Sequence, residues 1–151
     1  MCRISKYELI CEKVANYNVD FIDKRMGDSS EVARFIMDVL RSDTYTVEHF
    51  MVFMLDTKLK VLGFSEVSKG NLESAPVHPR EVFQPVMMTA KCAAVIVAHN
   101  HPSGDPTPSF EDIRVTERLE QAGDVLGIRV IDHLIIGDGC YVSMKSEGYL
   151  Q

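Results

Sequence analysis

The chain has 151 residues, enough for one domain with a real hydrophobic core. Its composition, 46% apolar and 25% charged, is that of an ordinary soluble protein, and no apolar run approaches the length of a membrane span. The net charge of −6, from 16 basic and 22 acidic residues, gives no support to a protein built mainly to grip phosphate backbones, though nucleic acid stays open as a partner.

The segment Met1 to Glu8 lacks the apolar core of a signal peptide, so the expected compartment is the cytoplasm. Residues 6–15 alternate loosely and read as an edge strand within an N-terminal extension, residues 1–29. Asp28 or Ser29 suits an N-cap, and Val32, Phe35, Ile36, Val39 and Leu40 then recur at helical spacing, which predicts an amphipathic helix over 30–42. Residues 48–55 form a β-rich run, Asp56-Thr57-Lys58 a turn, and 60–67 a returning strand, together a hairpin. Residues 79–89 predict a helix with Val82, Phe83, Val86 and Met87 on one side, kinked or split at Pro85. Residues 93–98 are wholly apolar, the mark of a central strand buried on both faces. A Pro/Gly loop occupies 102–108. Ser109 then caps a helix to about Leu126, which Gly127 ends. Short strands are expected at 128–131, 134–136 and 141–144. The alternation implies an α/β (α+β) fold with a mixed sheet flanked by helices.

The cysteines, Cys2, Cys11, Cys92 and Cys140, include no Cys-x-x-Cys pair, so neither a zinc knuckle nor a disulfide framework is expected. Cys92 and Cys140 have apolar neighbours and read as small core residues, and the methionines, Met87 and Met88 among them, as core filler. His49 and His78 show no partner pattern and read as surface residues.

The chemistry concentrates in residues 99–112. His99 and His101 lie two apart at the mouth of the buried strand, and in an extended chain such residues face the same side. Prolines at 102, 106 and 108 stiffen the return loop. Asp112 falls in the first turn of the next helix, where a carboxylate suits the helix dipole. Two imidazoles and a carboxylate make a three-ligand tetrahedral zinc site with one position left for water. Ser109-x-x-Asp112 is also a plain capping box, and the two roles are compatible.

His-x-His-Pro, followed after the loop by Ser-x-x-Asp, resembles the JAMM motif of the JAB/MPN metalloprotease superfamily. His99-Asn100-His101-Pro102-Ser103-Gly104 resembles in particular the RadC family. Pro79-Arg80-Glu81, Gly127-Ile128, Asp132-His133 and Gly148-Tyr149-Leu150 agree with it. The resemblance implies a JAB/MPN-like, cytidine-deaminase-like single domain over 30–151. Longer RadC proteins carry an N-terminal helix-hairpin-helix-like region, which residues 1–29 are too few to hold, so the chain reads as the catalytic domain alone. By position, His99, His101 and Asp112 match the zinc ligands. Ser109 matches the residue that steadies the attacking water and the developing oxyanion. An upstream glutamate acts as proton acceptor; Glu48 is preferred for it and Glu66 is the alternative. His133, Asp132, Ser103 and Glu66 are candidates for supporting or orienting the ligands.

These features lead to a zinc hydrolase that cuts a peptide or isopeptide-like amide bond. The protein or peptide substrate and the oligomeric state do not follow from the sequence. A second reading takes up the family's DNA-repair label: an accessory or binding module with a structural metal site. A metal-dependent nuclease ranks last, because such enzymes more often use two-metal carboxylate clusters.

Overall fold

The computed structural model describes residues 12–17, 29–70 and 77–150. The edge strand expected over 6–15 falls mostly outside these residues, and 12–15 carry no strand. The N-cap expected at Asp28 also lies outside them.

The described residues form a mixed five-stranded sheet with three α-helices, an α+β architecture. Strands β1 (His49–Leu55), β2 (Val61–Lys69), β3 (Ala94–Asn100), β4 (Arg129–Ile136) and β5 (Tyr141–Ser143) lie in the order β2-β1-β3-β4-β5. β3 and β4 are parallel; the other neighbours are antiparallel. The predicted hairpin is β1–β2. Asp56 shapes its turn, since one carboxylate oxygen accepts the N–H groups of Lys58 and Lys60. β3 is central and buried along its whole length, as its apolar run requires.

Each face of the sheet has its own core. On one face Val32, Ala33, Phe35 and Ile36 pack against Met51, Phe53, Ile96, Ala98 and Leu134. These four come from α1 (Ser29–Arg34) and the π-helical turn Phe35–Val39 that continues it. The helix predicted over 30–42 therefore exists, but its second half widens, with the Leu40 N–H bonded to the Phe35 carbonyl. On the other face α2 (Pro79–Met88) and α3 (Phe110–Leu126) bring Val82, Phe83, Val115 and Leu119 against Phe50, Val52, Val95 and Val97.

Four expectations need correction. α2 runs through Pro85 without a split. The carbonyl that loses its donor there belongs to Glu81, an exposed residue, where water can replace one lost bond. The two strands expected at 128–131 and 134–136 are one, because Asp132 and His133 continue β4 in the core rather than breaking it. Cys140 is exposed and Cys92 half-buried, so only the latter resembles a core residue. Met87 is 59% exposed and fills no core.

Asp132 explains how β4 carries charge inside. Its Oδ2 accepts the hydroxyls of Ser29 and Ser143, and its Oδ1 accepts the N–H groups of His133 and Lys145. One carboxylate thus ties α1, β4, β5 and the C-terminal turn together. Removing it leaves several donors unsatisfied in a region that is 1% exposed at Asp132. Asp132→Ala is expected to lower unfolding free energy in urea by roughly 3 kcal/mol. A loss below about 1 kcal/mol, the worth of a single ordinary hydrogen bond, would contradict this role.

Candidate metal centre

β3 delivers two histidines to one point. His99 lies within the strand and His101 just beyond it, where the His101 N–H bonds to the Ile136 carbonyl and prolongs the pairing with β4. Their alternate positions put both rings on the α3 face, with Nε2 atoms 3.0 Å apart. The loop after Pro102 returns the chain to α3. Its course depends on a close approach: a Cβ on Gly137 would lie 2.3 Å from the Gly104 carbonyl oxygen, so only glycine fits beneath the loop.

Asp112 enters through the cap of α3. The expected capping box is present: the Ser109 hydroxyl accepts the Asp112 N–H at 3.2 Å, and Asp112 Oδ2 accepts the Ser109 N–H at 2.7 Å. The Ser109 hydroxyl also gives its one proton to Oδ2, at 2.6 Å. The cap thus grips one oxygen and leaves Oδ1 facing His99 Nε2 at 3.1 Å; His101 Nε2 lies 3.4 Å from Oδ2.

These separations fit a metal ion. Ligand atoms about 2.0–2.1 Å from a tetrahedral centre lie about 3.3 Å from one another; here the two Nε2 atoms are 3.0 Å apart, and each faces its own carboxylate oxygen of Asp112, His99 facing Oδ1 at 3.1 Å and His101 facing Oδ2 at 3.4 Å. Among the described residues, His99, His101 and Asp112 form the one group of three or more His, Cys, Asp or Glu side chains whose ligand atoms all fall within 4.8 Å.

The hydrogen bonds agree. His101 Nδ1 is 2.8 Å from the Asp105 carbonyl oxygen, which can only accept, so Nδ1 carries a proton and Nε2 is the nitrogen turned toward Asp112. A metal cation between that nitrogen and the carboxylate would satisfy both. A proton can serve as well: the Asp112 carboxylate beside it, outweighing burial, holds His101 above the usual imidazole pKa. For Asp112, burial pushes its carboxyl up, but the His101 and His99 rings and the Ser109 hydroxyl against it prevail and hold it well below the usual carboxylate range.

The other expected residues divide. His133 is fully buried, with Nε2 2.9 Å from His99 Nδ1. Burial keeps its ring well below the ordinary histidine pKa. Asp132 connects to the centre through the His133 backbone, whose N–H it accepts. Ser103 is exposed; its hydroxyl accepts the Asp105 N–H at 3.4 Å, so it shapes the loop whose carbonyl holds His101. Glu48 immediately precedes β1, and its charge helps to raise the His101 pKa. Glu66 instead places Oε2 2.6 Å from His49 Nδ1. His49 is therefore no surface residue: it is 7% exposed, paired with Glu66 and stacked on Tyr45 at 4.0 Å between ring centres. His78 is exposed, but its ring caps α2 by accepting the Arg80 N–H.

Two contributors are not evident from the motif alone. Asn100, between the histidines, accepts the His49 N–H at 2.8 Å and donates to the Val47 carbonyl at 3.1 Å, which clamps the backbone on both sides of Glu48. Thr116 lies one turn after Asp112, and its hydroxyl is 2.7 Å from His133 Nδ1. The helical i, i+4 spacing from Asp112 was the available signal for Thr116.

A mixed sheet with two histidines at the end of its buried central strand and a capped aspartate facing them defines an α+β domain with a site able to hold a metal. The chain belongs to the RadC-like JAB domain family, whose model matches residues 26–149. It is 47% identical to a UPF0758 protein of Clostridium acetobutylicum over 131 residues, covering 86% of this chain and 56% of that protein. It is 53% identical to a UPF0758 protein of Moorella thermoacetica over 121 residues, 80% and 51% of the respective chains. A UPF0758 protein of Caldanaerobacter subterraneus is 47% identical over 119 residues, 79% of this chain and 50% of that one. The chain thus spans about half the length of these relatives. No helix among the described residues is long and apolar enough to cross a membrane.

Proposed function

We propose that this domain is a zinc-dependent hydrolase of the JAMM type that cuts a peptide or isopeptide-like amide bond. The observation that carries the reading is the convergence of His99, His101 and Asp112, whose ligand atoms lie within 4.8 Å of one another. Imidazole and carboxylate donors in that geometry suit zinc, and three protein ligands leave a position open, as catalytic sites do. Zinc, when bound, supplies Lewis acidity and lowers the pKa of a water it holds to about 7.

The chain's own groups supply the rest. Glu48 takes a proton from the attacking water and passes it to the leaving amine. What favours Glu48 is that its charge acts on His101. Asn100 keeps the Glu48 backbone in place through Val47 and His49. Ser109 first orients Asp112. Its hydroxyl can turn toward a developing oxyanion while its N–H keeps hold of Oδ2.

The test is cleavage of peptide and isopeptide libraries by the zinc-loaded protein, read by mass spectrometry. The expected result is cleavage that a chelator stops and added zinc restores. Cleavage indifferent to chelation, or none across both libraries with zinc bound, would overturn the reading.

A further inference from the structure

Two residues behind the centre determine how His99 can face a metal. Thr116 Oγ1 lies 2.6 Å from the Asp112 carbonyl oxygen. A carbonyl only accepts, so the single hydroxyl proton goes there. The same Oγ1 lies 2.7 Å from His133 Nδ1, which must therefore be the donor. The His133 ring is 0% exposed, and its hydrogen bonds run to Thr116 and His99, with no carboxylate among them. A buried imidazole without an acid against it is neutral. With its proton on Nδ1, its Nε2 bears a lone pair. His99 Nδ1, 2.9 Å away, must donate to that lone pair. In the neutral His99 ring the remaining nitrogen, Nε2, carries the lone pair, directed at the point it shares with His101 and Asp112.

From this we infer that His133 and Thr116 are positioning residues that fix His99 as the Nδ1–H tautomer and so hold its Nε2 ready for the metal. The reversed chain of hydrogen bonds would put a proton on His99 Nε2, in the place a metal would take. The relay also joins two ligands: it starts on the backbone of Asp112 and ends on the ring of His99, so the helix and the strand that carry them are held in register.

A bulge in β4 makes the relay reachable. Val95 pairs with Val130 but Ile96 pairs with Asp132, so Ile131 is an extra residue. In a regular strand Val130 and His133, three apart, would face opposite sides of the sheet. Here Val130 packs in the core beneath α2 and α3, and His133 bonds to α3 on that same face. Asp132 is turned to the other face, where it meets Ser29 of α1.

The inference rests on the metal reading for its consequence, but the tautomer belongs to the metal-free chain and can be read there. The experiment has two arms. Nitrogen-15 NMR of the imidazoles, in metal-free protein at mildly alkaline pH where unperturbed imidazoles are neutral, should show His99 protonated on Nδ1 and bare on Nε2. Thr116→Val, which keeps volume and removes the hydroxyl, should scramble that state, and Thr116→Ser should restore it. Zinc affinity, measured against a chromophoric chelator, should fall about 10–100-fold in His133→Ala and in Thr116→Val and recover in Thr116→Ser. A His99 protonated on Nε2 in the unsubstituted chain overturns the inference. So does unchanged affinity in a folded Thr116→Val variant. An unsubstituted chain that binds no zinc yet shows the Nδ1–H state would instead defeat the metal reading and leave the tautomer assignment intact.

Discussion

Asp112→Ala is expected to abolish stoichiometric zinc binding and to lower stability by about 1–2 kcal/mol, the usual worth of a helix cap. Both effects come from one carboxylate with divided duties. Oδ1 faces His99 Nε2, while Oδ2 receives the Ser109 N–H and hydroxyl. Alanine removes the only anionic ligand and leaves two imidazoles, which alone form a weak site. Asp112→Asn separates the two effects. Its amide oxygen can still accept in the cap, so stability should stay near that of the parent, but the charge is gone and zinc should be lost. Elemental analysis after dialysis, paired with urea unfolding, reads both. Zinc retained at one equivalent in either variant would remove Asp112 from the ligand set.

Glu48→Gln is expected to keep zinc and to lose about 10²–10⁴-fold in turnover, the range for removing a general acid–base group. Glutamine matches glutamate in size and can keep its place before β1, where Asn100 clamps the flanking backbone. It cannot take up a proton from water at neutral pH, and that is the one property the variant removes. Glu66→Gln serves as the contrast. It weakens the pair with His49, which is 44% exposed on the Glu66 side, so the effect on stability should be small and turnover should survive. A steady-state assay on any substrate found in the library screen separates the two. Equal losses in both variants would mean that the base has been assigned wrongly.

Much of the site was legible because its parts follow local rules. Alternation puts His99 and His101 on one side of β3, and the cap places Asp112 in the first turn of α3. The apolar run at 93–98 marked the central strand for the same reason: a strand buried on both faces has no polar positions to alternate with. What was not legible depends on partners distant in sequence. Asp132 and His133 look like a break between strands because a polar pair is costly in a core. They are tolerated because Ser29, Ser143, Thr116 and His99 satisfy them, and those residues lie up to 103 positions away. The bulge at Ile131, which decides which face each member of the pair takes, leaves no mark in hydropathy. His49 was misplaced on the surface for the same reason, since its partner Glu66 sits on the neighbouring strand. Pro85 does not split α2, a helix of 10 residues in which Val82, Phe83 and Val86 are buried on both sides of it.

The central claim is a single metal held by three particular side chains, and anomalous diffraction from crystals of the zinc-loaded protein at the zinc edge tests it most directly. The account predicts one strong peak about 2.0–2.2 Å from His99 Nε2, His101 Nε2 and a carboxylate oxygen of Asp112. A peak liganded elsewhere, or none at this triad in crystals that contain zinc, would contradict it.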